Sequence, residues 1–434
     1  MKIGFVSMPL SGHLNPMTAL ARKLQSRGNE VVMIGVPDVE PFARAAGIEF
    51  VPFCEAEYPL GSTAVAWGEV AKRHGFDVVE YTTRHLNPGL ISAGLKHLPG
   101  KLVETGVEAM IFDTVCFYME FVPMSMNIPY VHIWNILHVD FSATTPPCFF
   151  SSPYETGGKA IAKNAEALQS VGGIWEPMVQ AAMPYAERWA LEVDWHVPGA
   201  TMSKLAVVTQ TPAEFDFPGI PWPAQFHYAG PFHDDQGREP ISFPWERLTG
   251  APLIYASLGT LVNGLDQVYI AILKAAEKLT DFQVVLSIGK NVSIENLGEI
   301  PSNVIVVRVA PQIELLKRAA LCITHAGLNT ALESLGQGVP MVAIPIGYDQ
   351  PGVASRIAYH GVGEFLEIED LTVENLLELS RRVMGNPSYR EKAAYFQSVI
   401  AETHGLDVAA SVIEQALRSN QTESSEDKQV LSMA

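Results

Sequence analysis

The chain opens with a short apolar run, "KIGFVSM" (2–8), followed by an amphipathic stretch and then another apolar run. "EVVMIGV" (30–36), "IEFVPF" (48–53), "EAMIF" (108–112) and "PYVHIW" (129–134) repeat the theme and read as strands. Short apolar runs bounded by turn residues suit strands buried on both faces. Between several of them lie helical patterns such as "NPMTALARKLQSRG" (15–28), which closes on Gly28 as helices often do. Strands alternating with helices imply βαβ units and a mostly parallel sheet. Residues 155–197 carry no strand signal and are rich in Ala, Trp, Met and Glu, so helices laid over the first sheet are expected there.

The rhythm breaks at "FHDDQGREPISFPWERL" (232–248), a charged segment with Gly237, Pro240 and Pro244 that reads as an interdomain linker. It restarts with strands "PLIYASLG" (252–259), "FQVVLSIG" (282–289), "NVIVVRV" (303–309), "ALCITH" (320–325) and "VPMVAIP" (339–345). Helices are expected over 265–279, 328–335, 372–384, 388–403 and 407–418. The fold class is therefore α/β, with two Rossmann-like domains at 1–231 and 249–405 joined by the linker. The acidic, aperiodic tail at 421–434 is expected to be disordered.

Charge narrows the partners. A formal net charge of -18 disfavours nucleic acid and anionic membranes, yet backbone amides and helix ends can still hold one nucleotide. Cys54, Cys116, Cys148 and Cys322 are far apart with no CxxC pair, which argues against a disulfide framework or zinc site and for a reduced cytoplasm. The N-terminal apolar run is too short for a signal peptide, and no run is long enough to span a membrane. GxxxxGK[ST] is absent, no GxGxxG follows the first strand, and no Asp-x-Asp triplet occurs. P-loop, dinucleotide-oxidoreductase and metal-dependent sugar-nucleotide readings lose ground accordingly.

The segment 309–357 carries the strongest signal. Strand "ALCIT" runs into His325, Ala326 and Gly327, and a helix starts near Leu328. Glycine at such a turn admits a ligand to the backbone, and the helix N-terminus offers free amides and partial positive charge. A diphosphate is the natural guest. His325, Asn329 and Thr330 are donors for it, Glu333 suits a pair of sugar hydroxyls, and Asp349-Gln350 suits a second sugar. His13, in "SGHLNP", sits where the first strand meets the first helix, the usual ligand crevice of an open α/β sheet. By itself it is either a hydrogen-bonded helix-end histidine or a proton acceptor aimed into a site.

"HAGLNTALE" followed by "GVPMVAIPIGYDQ" resembles the donor-binding signature of family 1, UDP-sugar-dependent glycosyltransferases of the GT-B fold. "VAPQ", "YASLGT" (255–260) and "SGHLNP" fit the same pattern in the same order, so the resemblance spans residue 1 to about 418. It implies an acceptor-binding N-terminal domain, a nucleotide-sugar-binding C-terminal domain, and a helix at 406–420 returning to the N-terminal domain. It places His325, Asn329, Thr330 and Thr260 on the diphosphate, with Gly327 in the same turn. Glu333 would take the ribose, Gln312 and the backbone of Val309 and Ala310 the base, and Asp349 and Gln350 the transferred sugar. Plant members have Trp at the positions of Val309 and Leu328, which leaves UDP and dTDP both open as carriers. "GYDQPGVASRIAYHGVG" looks most like the bacterial zeaxanthin and natural-product branch.

The resemblance makes His13 the general base and Asp113 its partner. Imidazole titrates near neutrality and suits removal of a hydroxyl proton during attack. Inverting transfer without a metal or other cofactor is implied, to an acceptor such as a flavonoid, terpenoid, macrolide or carotenoid. The acceptor has no motif; Trp67, Phe117, Tyr118, Trp134, Phe149, Phe150, Trp175 and Met183 are candidates for its walls. His132 and His138 lack metal-ligand spacing, though either could line that pocket. An oxidoreductase using NAD, or a sugar-nucleotide-binding protein without transfer activity, are the alternatives.

Overall fold

The computed structural model describes residues 1–434 except Asp235, Gly237, Arg238, Glu239 and Ala434, and describes no side chain after Asn420. The first half contributes β1 (Lys2–Val6), β2 (Glu30–Gly35), β3 (Glu49–Pro52), β4 (Ala109–Asp113), β5 (Tyr130–Trp134), β6 (Val207–Thr209) and β7 (Phe226–Tyr228). They form one sheet in the order β3-β2-β1-β4-β5-β6-β7. The second half contributes β8 (Leu253–Ser257), β9 (Gln283–Ser287), β10 (Val304–Val307), β11 (Ala319–Thr324), β12 (Met341–Ala343) and β13 (Gly363–Phe365), in the order β10-β9-β8-β11-β12-β13. Every pairing in both sheets is parallel. The expected α/β architecture of two Rossmann-like halves is present.

Three strands were not expected. β6, β7 and β13 have three residues each, too few for a periodic signal. "GVGEF" supplies β13, where a Cβ on Gly363 would collide with the Met341 carbonyl of the neighbouring strand. The first helix also starts earlier than its pattern suggests, at Ser11 and not near residue 15, so His13 lies in its first turn. Residues 155–197 are helical as expected, at Gly158–Gly172 and Glu176–Arg188.

Topology fixes where ligands can enter. Strand order reverses between β1 and β4 in the first sheet and between β8 and β11 in the second. At such a reversal the loops leaving neighbouring strands diverge and open a crevice at the carboxyl edge. The final helix, Gly405–Met433, buries Ala409, Ala410, Ile413 and Leu417 against Leu14, Met17 and Leu20 of the first helix. Arg27 and Asn29 bind Asp407 and Glu414 of that helix, adding polar ties at its edge. The linker at 232–248 holds no regular element among its described residues beyond a short turn at Trp245–Arg247. The tail expectation falls on 421–434, which lies outside the described residues apart from that helix's backbone.

Candidate active site

His13 lies in the first turn of the helix after β1 and Asp113 ends β4, so both stand at the carboxyl ends of the strands that neighbour at the first reversal, with Val6 opposite Phe112. His13 Nδ1 lies 2.8 Å from Asp113 Oδ2. The same oxygen accepts the Ser7 hydroxyl at 3.0 Å, and Asp113 is fully buried. A buried carboxylate can only accept, so Nδ1 carries the proton and Nε2 keeps its lone pair. Burial alone would lower the His13 pKa, but the Asp113 carboxylate, with help from Asp349, outweighs it and holds the imidazole above its ordinary value. Burial would raise Asp113; the His13 imidazole and the Ser7 hydroxyl hold it below the usual range instead.

The second reversal builds the facing wall. Ser257 of β8 stands opposite Thr324 of β11, so "GT" and "HAG" emerge side by side. A Cβ on either Gly259 or Gly327 would stand 2.5 Å from His325 Nε2, so a side chain at either position would force that imidazole to move. Ala326 takes φ +64, a left-handed conformation that costs a non-glycine residue about 1 kcal/mol or more. That turn sends the chain into the helix Leu328–Gly336, whose first amides have no side-chain cap. Burial, opposed by the Ser257 carbonyl, pulls the His325 pKa down to about 4, so at neutral pH it is an uncharged donor. Gln312 Nε2 donates to Glu333 Oε2 at 2.5 Å and to Thr330 Oγ1 at 3.2 Å, while its Oε1 accepts from the Tyr255 hydroxyl at 2.9 Å. Val309 is 57% exposed and Ala310 is buried beside it.

Two residues expected on the phosphates, Asn329 and Thr260, line the cleft and are also bonded to the first half. Asn329 Nδ2 donates to the Gly12 carbonyl at 2.6 Å, and its Oδ1 accepts from Gln210 at 2.8 Å. Pro16 explains why that carbonyl is free: proline has no N–H to return to the residue four positions back. The Thr260 hydroxyl pairs with that of Ser11 at 2.8 Å. Both side chains therefore clasp the two halves together next to His13.

Asp349 and Gln350 line the cleft from the start of the helix Gln350–Tyr359. Asp349 Oδ2 accepts from the Leu137 amide of the first half at 2.8 Å, and burial raises its carboxyl pKa. Gln350 Oε1 accepts from the Ile346 and Gly347 amides, which leaves its Nε2 as the free donor. One side of each residue is thus committed to the protein.

Of the expected acceptor walls, Trp67, Phe117, Tyr118, Trp134, Phe149 and Trp175 line the cleft. Phe117 and Phe149 both pack on Trp175, at 5.7 and 6.1 Å between centroids. Phe150 does not line the cleft: it follows Phe149 and turns the other way, stacking on Phe76 at 6.3 Å. Met183 is also off the cleft. Met178 faces it from the same helix, and five residues on the helix has turned by roughly 140°. His132 lines the cleft and His138 does not.

Sequence reasoning missed Gln210, the clasp of Ser11 and Gly12, and one buried ionic hub. Asp216 accepts from Arg356 Nη2 at 2.6 Å and lies 2.7 Å from His138 Nε2, joining the first half to the Asp349–Gln350 helix. No local pattern marks that hub, because its members are dispersed single residues.

The cleft encloses about 1570 Å³, above the roughly 300–1,000 Å³ of a pocket for one small ligand. An imidazole with a free ring nitrogen on one wall and an uncapped helix end on the other, with room for two reactants, suit a two-domain group-transfer enzyme. Residues 208–421 match the family described as UDP-glucoronosyl and UDP-glucosyl transferase, and the chain is a glycosyltransferase similar to the members of that family. It is similar to zeaxanthin glucosyltransferase of Pantoea ananas, 25% identical over 96% of each chain. NDP-glycosyltransferase YjiC of Bacillus subtilis (strain 168) is likewise 25% identical, over 95% of this chain and 96% of that one. The solved glycotransferase of kitacinnamycin shares the fold, with a TM-score of 0.73 at 23% identity over 96% of this chain and 98% of that one. No helix among the described residues is long and apolar enough to cross a membrane.

Proposed function

We propose that the protein moves a sugar, glucose from UDP-glucose in preference, to a hydroxyl of an apolar small-molecule acceptor with inversion and without a metal ion. The observation that carries this reading is the buried His13–Asp113 pair across the cleft from the uncapped helix at Leu328. His13 Nε2 takes the acceptor proton as the oxygen bonds to the anomeric carbon. The bond from that carbon to the diphosphate oxygen breaks, and its electron pair leaves with UDP. Asp113 stabilises the imidazolium. The helix amides, Thr330 and the neutral His325 receive the departing charge, a task in which preorganised donors are effective.

Glu333 holds the ribose, Gln312 and the backbone of Val309 and Ala310 flank the base, and the free Gln350 amide and second Asp349 oxygen read the sugar. Residues 1–231 with the helix at 406–420 form the acceptor domain, and 249–405 the donor domain. Trp67, Phe117, Trp134, Phe149 and Trp175 give the acceptor aromatic walls, consistent with the carotenoid named for one relative. The four separate, buried thiols suit the cytoplasm.

The test combines two arms. His13→Ala should lose about 10²–10⁴-fold in rate on an alcohol acceptor while UDP affinity holds, and wild-type activity should survive EDTA. Unimpaired transfer by the variant would remove the base assignment. Loss on chelation with rescue by Mg²⁺ or Mn²⁺ would remove the metal-independent mechanism.

A further inference from the structure

Deep in the acceptor half, the aromatic walls are interrupted by one polar pair. Glu120 and His132 are each no more than 5% exposed, and both line the cleft. Glu120 Oε1 accepts the Thr201 hydroxyl at 2.6 Å, whereas Oε2 is buried with no hydrogen-bond partner. His132 Nδ1 accepts the Ser203 amide at 3.0 Å. A backbone N–H can only donate, so the neutral ring must carry its proton on Nε2. That N–H faces Glu120 Oε2 across 3.9 Å, too far for a hydrogen bond. Burial lowers His132 to about 4, which keeps it neutral, and raises Glu120 to about 7.

A buried carboxylate oxygen without a partner is costly unless a ligand supplies one. The gap has a definite shape. An oxygen about 2.8 Å from both atoms subtends roughly 90° and can accept from Nε2–H while donating to Oε2. Above the raised Glu120 pKa of about 7, where the carboxylate only accepts, a hydroxyl does both; a carbonyl can only accept, and a methyl group does neither.

We propose that Glu120 and His132 form a second polar anchor in the acceptor subsite, reading a hydroxyl on the acceptor remote from the one that is glycosylated. The preferred acceptor is then an apolar body with two hydroxyls. This assignment rests on the proposed function only in taking the aromatic half of the cleft as the acceptor side.

Two matched acceptor pairs of different length test it: 4,4′-dihydroxybiphenyl against 4-hydroxybiphenyl, and 4,4′-dihydroxystilbene against 4-hydroxystilbene. Binding is read by calorimetry without donor, and transfer from UDP-glucose separately. At least one dihydroxy compound should bind roughly tenfold or more tighter than its partner, the size of one buried polar group left unpaired. Glu120→Gln, with its carbonyl still on Thr201, would present an amide donor, leave the hydroxyl's own hydrogen without an acceptor and so reduce that preference. It should favour 4′-hydroxybiphenyl-4-carbaldehyde, whose carbonyl can accept from both sides. His132→Asn, which keeps an acceptor for the Ser203 amide and drops the Nε2 donor, should also reduce it. Equal affinities within both pairs in the wild type would overturn the anchor, as would a preference that persists undiminished in the two folded variants. Selective binding with no glycoside formed on any acceptor would refute the transfer reading and leave the anchor standing.

Discussion

Asp113→Asn isolates the electrostatic share of the proposed base from its geometry. The amide is isosteric and keeps an oxygen for the Ser7 hydroxyl, so packing is preserved while the negative charge at His13 is removed. At the observed 2.8 Å, an imidazolium and a carboxylate attract by roughly 6 kcal/mol at an effective dielectric of about 20. Part of that attraction is already present as a hydrogen bond to the neutral ring, so the transition state should lose about 3–5 kcal/mol, or roughly 10²–10⁴-fold in kcat. The pH profile supplies a second, independent readout. A base works deprotonated, and Asp113 holds the His13 pKa above its ordinary value against the effect of burial. The acid limb of kcat/KM should therefore rise through that raised pKa in the wild type and move to lower pH in Asp113→Asn. Continuous UDP release with an aliphatic alcohol, against a nitrophenol that ionises unaided, gives both quantities. The nitrophenol should suffer much less. If the variant keeps more than a third of wild-type kcat on the alcohol, or its acid limb stays in place, Asp113 does not support the proton transfer.

Three further outcomes follow from the same geometry. Gly327→Ala would place a Cβ 2.5 Å from His325 Nε2, so UDP affinity by calorimetry should weaken at least about tenfold; unchanged affinity would show that this turn does not hold the nucleotide. Arg356→Met leaves Asp216 buried without its guanidinium partner and should cost about 3–5 kcal/mol, read as a lower Tm and denaturant midpoint, and a loss below 1 kcal/mol would mean that water replaces the ion pair. In competition on one phenol, UDP-glucose should lead, dTDP-glucose should be usable because Val309 offers the base only an aliphatic surface, and UDP-rhamnose should be poor. UDP-rhamnose in first place would refute the sugar-reading roles of Asp349 and Gln350.

Much of the architecture is written locally. The long apolar strands, the helices between them and the break near residue 232 need only short-range periodicity, because a strand buried on both faces must be apolar throughout. "HAGLNTALE" is equally local: a glycine turn and the helix it opens are consecutive in the chain, so one stretch of sequence holds most of the donor wall. β6, β7 and β13 escaped because three residues have no period and, unlike those of β12 in "VPMVAIP", they stand in no long apolar run; they exist through the neighbours that pair with them.

What tertiary structure alone decided is which side chains spend their hydrogen bonds on the protein. Asn329 and Thr260 carry the right chemistry for phosphate and line the cleft, and only the tertiary structure shows that they also bond Gly12 and Ser11 of the other half. Phe149 and Phe150 are interchangeable in composition, but Phe149 faces the cleft and Phe150 stacks on Phe76. Asp216, His138 and Arg356, like Glu120 and His132, gain their meaning when segments far apart in the chain are brought into contact. A sequence states each residue's donors and acceptors. The partner that satisfies them is a property of distance in space, which strand order and the closing of two halves impose.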